Sequence, residues 1–147
     1  MINKRVIPYR PGHIDFLNPL DCYAEDAAQR VEDQCMHHNH AVYTLVVGNK
    51  PIAVVGCTEA TRGVLSVWAL AGKEVKDFPL FYHKAIKQLI NGHVEELGAR
   101  RVQSLIARDN DLALKQHISL GFEIEAELKC SGPTGEDQYL LRKLING

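Results

Sequence analysis

Apolar and polar positions change period several times along the chain, and each change marks an element. Residues 5–9 are short and β-prone, and Pro11 with Gly12 ends them before residues 13–17, a turn of helix. Asn18 followed by Pro19 carries the chemistry of an N-cap and a first helical position. Ala24, Ala27, Ala28, Val31 and Cys35 recur behind them at helical spacing, so a second helix is predicted to about Cys35. Residues 41–47 and 52–57 are rich in Val, Ile and Leu around the turn residues GNKP and read as a hairpin, and residues 64–70 form a third run of this kind. Connections this short predict antiparallel neighbours, because a parallel crossover needs roughly a dozen residues.

From residue 78 to residue 97 the period becomes helical. Phe78, Tyr82, Ala85, Ile86, Leu89, His93 and Leu97 share one face, and Gly98 suits the C-cap. Gly92 costs about 1 kcal/mol relative to alanine, so a break near Asn91 and Gly92 is an expectation. Residues 101–107 are again strand-like, Asn110 or Asp111 can cap a helix to Leu120, and Gly121 ends it. Two last strands, 122–129 and 138–144, flank the turn-rich SGPTGED. The whole is an α+β fold, a mostly antiparallel mixed sheet of about seven strands with four helices and no internal repeat.

The 147 residues are of ordinary size for one domain, expected over 1–147, and 46% hydrophobic residues with 24% charged ones are a globular balance. With 17 Lys and Arg against 18 Asp and Glu, no overall positive field recruits nucleic acid or an anionic membrane. No segment approaches the length of a bilayer-spanning helix, and the opening MINKRVIPYR has no long apolar run, so a soluble, cytoplasmic protein is expected. Cys22, Cys35, Cys57 and Cys130 are scattered without a paired CxxC and would be free thiols in a reducing cytoplasm.

The stretch ARDNDLALKQHISLGF carries Asn110, Ala113, Gly121 and Phe122 in the spacing "N, A, then GF". With the element order, it resembles the GNAT N-acetyltransferase superfamily along nearly the whole chain. That resemblance implies acetyl-CoA bound between two splayed strands, here residues 64–70 and 101–107, with Val67, Trp68 and Ala69 lining the cleft. It also implies a small-molecule or protein amine as acceptor, acetylated by direct transfer.

The pyrophosphate loop of that superfamily, [Q/R]xxGx[G/A], belongs at the start of the long helix, where free amides and the helix dipole favour anions. This chain reads AGKEVKDFP there. Gly72, Lys73 and Lys76 suit phosphate, while Asp77 falls near the N-cap, where its carboxylate competes with a bound anion. The resemblance adds Asn110 to the residues holding CoA. His117 stands where the superfamily usually has a tyrosine that protonates the departing thiolate, and a histidine titrating near neutrality can donate that proton. The other reading of His117 is a packed side chain on the face of Leu114, Ile118 and Gly121.

The stretch VWALAGKEVKDF and the altered loop also resemble a narrower group, the GNAT-like proteins of short-tailed phages, including their small internal virion protein. That resemblance implies a non-catalytic protein of virion assembly or DNA ejection, with phage structural proteins as partners and the host cytoplasm or the virion as its place. A fold alone does not decide between the two.

Three further features bear on chemistry. Glu59, at the end of the third predicted strand, could take a proton from an amine directly or through water, or be an ordinary surface glutamate. Cys35, His37, His38 and His40 form the cluster CMHHNH, but adjacent histidines converge poorly on one ion and no second ligand pair has partner spacing, so no metal is expected. Arg100 and Arg101 lack the basic stripe and interleaved aromatics of a nucleic-acid surface and read as a solvated strand end.

Overall fold

The computed structural model describes residues 2–10, 12–16 and 42–146. Seven strands form one sheet: β1 (Lys4–Pro8), β2 (Val42–Val47), β3 (Lys50–Thr61), β4 (Val64–Ala71), β5 (Arg101–Ala107), β6 (Glu123–Leu128) and β7 (Gln138–Leu144). Their order is β1-β2-β3-β4-β5-β7-β6. Every neighbouring pair is antiparallel except β4 and β5. Two α-helices lie among the described residues, α1 (Pro79–Leu97) and α2 (Asp111–Ser119), with short 3-10 turns at His13–Phe16 and Lys73–Asp77. The helix expected over residues 19–35 and the CMHHNH cluster lie outside the described residues.

The middle of β3 is buried at every residue from Pro51 to Cys57, because the sheet is covered on both sides there. On one side Leu45, Val55, Cys57, Leu65 and Val67 meet Tyr82, Ala85, Ile86 and Ile90 of α1. On the other, Val42, Val54 and Leu70 pack with Tyr9, Ile14 and Trp68. The α1 face follows the predicted period, except that Ile90, which is not among the predicted face residues, is buried and Leu97 is left exposed at the helix end. No break occurs at Gly92, and Gly98 closes the helix with φ 61°.

The chain turns from α2 into β6 through a Schellman motif. The Phe122 amide donates to the His117 carbonyl at 3.0 Å and the Gly121 amide to the Ile118 carbonyl at 3.0 Å. Gly121 takes φ 94°, which a side chain would strain, and Phe122 packs edge-on against His117 at 5.1 Å between ring centres. The "GF" of the sequence is thus the stop signal of a helix and its hydrophobic latch.

Candidate functional site

The one parallel pairing in the sheet is short. Val64 pairs with Arg101, Leu65 with Val102 and Ser66 with Gln103, and the ladder then ends. From Val67 to Ala71 and from Ser104 to Ala107 the two strands run on without registering, each held by its outer neighbour, β3 and β7 respectively. The result is a fork whose β4 arm presents backbone groups that β5 does not take up.

The closed end of the fork is tied by side chains. The Arg100 guanidinium donates to the Arg62 carbonyl at 2.7 Å, and the Gly63 amide donates to Oε2 of Glu59 at 3.2 Å. Glu59 faces Leu65 in register, below the level at which the strands part, so the geometry does not bring it together with the open fork. Arg101 forms a bidentate pair with Glu125, which raises the guanidinium's proton affinity and holds the Glu125 carboxyl below the usual range.

Strand alternation separates the three residues expected along the cleft. Val67 is buried in the α1-side core, Ala69 is exposed, and Trp68 turns to the opposite side against Gly56. What the three share toward the fork is backbone.

The loop after β4 is built differently from its sequence reading. The Gly72 amide donates to the Ile52 carbonyl at 2.8 Å, and the Gly72 carbonyl accepts from Val75 at 3.2 Å, which seats Val75 in the core. Lys73 and Lys76 are exposed. Phe78 is the N-cap of α1, without a side-chain hydrogen bond, and Asp77 stands outside that position. The anion engaged in this loop is Glu74. Its carboxylate pairs with Lys50, which holds it below the ordinary carboxyl range, and it also accepts from its own backbone amide. Its Oε2 is buried without a hydrogen-bond partner. The ammonium of Lys4 lies 5.6 Å from the centre of the Phe78 ring beside this loop.

Beyond the splayed end of β5, Asn110 caps α2, its Oδ1 accepting from the Ala113 amide at 3.1 Å. In the last turn of α2, His117 reaches back to the sheet. Nδ1 lies 2.7 Å from the Ala113 carbonyl and Nε2 3.0 Å from Oγ of Ser104, the first β5 residue past the end of the ladder. A carbonyl only accepts, so Nδ1 carries the hydrogen and Nε2 accepts from the Ser104 hydroxyl. Burial lowers the affinity of the ring for a second proton, opposed by the Ala113 carbonyl. The fork and His117 are therefore brought together, whereas Glu59 is not. Ser104 was missed because a lone serine in a strand carries no signal until its partner, 13 residues on, is placed.

Past β5, Arg108 pairs with Glu127 at 2.9 Å and Asp137 accepts from the Cys130 amide at 3.0 Å, around an open depression of about 300 Å3 lined by Arg108, Asp109, Glu136 and Asp137. Among the described residues no group of three or more His, Cys, Asp or Glu could hold a metal, and no helix is long and apolar enough to cross a membrane. Cys57 is buried, its thiol pushed up to about 12 by desolvation, and Cys130 is exposed; both are free.

The same architecture recurs in solved structures. Ard1 from Thermoplasma volcanium superposes with a TM-score of 0.80 at 12% identity, over 98% of this chain and 99% of that one. The chain has the GNAT fold. A GNAT-family acetyltransferase from Bacillus anthracis follows with 0.73 at 11% identity, covering 96% and 94%. A mutant of the spermidine N-acetyltransferase SpeG from Vibrio cholerae gives 0.67 at 15%, covering 96% and 93%. No protein-family model and no curated protein sequence matches the chain. Within the GNAT fold, the capped helix beyond β5 is what the sequence pattern predicted, and the fork between β4 and β5 is what the resemblance implied.

Proposed function

We propose that the protein is an acetyl-CoA-dependent N-acyltransferase that moves an acetyl group directly to an amine. The observation that carries this reading is the fork: an unregistered β4 arm with a titratable side chain, His117, held 3.0 Å from the first residue of the splayed β5. The backbone of Val67, Trp68 and Ala69, which β5 leaves unregistered, fits an extended amide-bearing arm such as pantetheine. Gly72, Lys73 and Lys76, together with Lys50 once Glu74 releases it, suit the phosphates, and Asn110 fixes the helix that presents His117. Holding amine and thioester together in the fork supplies most of the rate. His117 serves the departing sulfur as proton donor. The position of Glu59 supports a turn-stapling role for it rather than contact with the amine.

Isothermal calorimetry with acetyl-CoA, followed by thiol release with spermidine and other amines, tests the proposal; spermidine is chosen because one structural neighbour is a spermidine N-acetyltransferase. Absence of heat and of any thermal shift at about millimolar acetyl-CoA, a concentration at the weak end of binding, defeats it.

The loop supports a second reading, a non-catalytic GNAT-like phage protein acting through protein partners in the virion or host cytoplasm. Glu74 puts a carboxylate where an anionic ligand would be held. Co-purification with phage structural proteins and no acetyl transfer would support that reading, and turnover lost in His117→Ala would count against it.

A further inference from the structure

Ser104 is the buried hydroxyl that His117 meets where β5 leaves the ladder. We propose that Ser104 is a positioning residue for His117, its hydroxyl donating to Nε2 of the neutral ring and turning about Cβ–Oγ to accept from Nε2–H when the ring carries two protons.

The Ala113 carbonyl, 2.7 Å from Nδ1, fixes a hydrogen on that nitrogen in either form of the ring, which leaves Nε2 as the atom that changes. The one protein group bonded to Nε2 is a hydroxyl, which can donate and accept; a carbonyl or an ammonium there would satisfy only one form. Ser104 is 3% exposed, so its hydroxyl has little access to water and would be left unpaired without His117. Phe122 closes one side of the ring. The titratable groups on the surrounding elements include His83 on α1, which contacts Ser119 at 3.4 Å, Asp111 and Lys115 on α2, Arg101 on β5, and Tyr139, Arg142 and Lys143 on β7. The Lys143 ammonium donates to the Leu120 carbonyl at 3.0 Å. None of them sets the ring's proton affinity, which follows burial and the Ala113 bond.

This inference rests on the acyl-transfer reading for its chemistry. Attack forms a C–N bond and breaks the C–S bond; the amine gives up one proton and the thiolate takes one. Nε2 holds that proton between the two events with Ser104 as its acceptor, and as it leaves for sulfur the hydroxyl turns back to donate into the vacated lone pair, restoring the neutral ring.

Ring-nitrogen NMR of labelled protein reads the pair without any substrate. In the wild type the neutral tautomer should carry its hydrogen on Nδ1, and an Nε2–H tautomer overturns the proposal without a variant being made. The His117 midpoint should fall by about one pH unit in Ser104→Ala, because the imidazolium loses an acceptor, and recover in Ser104→Thr. An unchanged midpoint in a folded Ser104→Ala protein also overturns it. With acetyl-CoA and spermidine, Ser104→Ala should lower kcat at pH 7 about fivefold or more, move the optimum to lower pH and leave KM for acetyl-CoA unchanged. Failure of wild-type protein to bind acetyl-CoA is read separately by calorimetry and counts against the acyl-transfer reading, not against the proton-holding pair.

Discussion

Trp68 packs onto Gly56, its register partner on β3, so closely that a Cβ at position 56 would stand 2.1 Å from the indole. Glycine is required there for space. Gly56→Ala must push the ring off the sheet and should destabilise the protein by about 1–3 kcal/mol, the range for overpacking a filled core. Trp68 is the only tryptophan, so its fluorescence in a urea titration reports both the lowered midpoint and the altered native environment of the ring. A native spectrum and midpoint equal to wild type would refute the contact.

Asn110 caps α2 through a single side-chain bond to the Ala113 amide. Asn110→Ala should cost about 1 kcal/mol, and Asn110→Asp should keep most of the stability, since an aspartate oxygen accepts the same bond. Because α2 carries His117, the alanine variant should also loosen the ring, seen as broadened His117 resonances. A cap that matters only through bound CoA would instead leave the stability of the free protein unchanged.

Much of this was legible in the chain because it is local. β2, β3 and β4 follow runs rich in Val, Ile and Leu, Asn110 sits where a cap is expected, and Gly121 with Phe122 closes its helix within six residues of His117. The loop was not legible in the same way. Asp77 is nearest the helix start in sequence, yet the engaged carboxylate is Glu74, because its partner Lys50 comes from the far end of β3, 24 residues back. Ser104 was hidden for a similar reason, its meaning depending on a ring that the helix returns to the strand. Alternation also set Trp68 apart from Val67 and Ala69, which a list of consecutive residues cannot show.

Stability should fall as the solution is acidified below about pH 6.5, the ordinary histidine range. Burial lowers the proton affinity of both His13 and His117 in the folded chain, the Arg10 charge adding to the effect at His13. The unfolded chain therefore binds more protons across the window between the unfolded and folded values, so stability is fully present above it and is lost as pH falls through it. At His13 the mechanism is visible: Nδ1 accepts from the Arg10 amide at 3.2 Å and lies 2.7 Å from Oγ1 of Thr44, and a proton on that nitrogen removes its acceptor role. Urea midpoints at pH 7.5 and 5.5 should differ in wild type, and less in His13→Asn. A flat profile between those values would contradict both assignments.

The loop after β4 holds a carboxylate among its lysines. Glu74 is paired with Lys50 and its own amide, and Lys73 adds to the field that keeps it ionised. Any phosphate brought to Lys50, Lys73 and Lys76 must meet this negative charge or displace it. A unit charge at hydrogen-bonding range in a water-like surface is worth about 1 kcal/mol, so Glu74→Gln should tighten CoA binding roughly fivefold at low salt, and less at high salt. The pair is partly exposed, so little stability should be lost with it. Dephospho-CoA and pantetheine separate the causes: the gain should persist for dephospho-CoA, which keeps the pyrophosphate, and vanish for pantetheine, which has none. Equal affinity of Glu74→Gln and wild type for CoA would mean that the phosphates are held elsewhere, and the lysines of this loop would lose their assigned role.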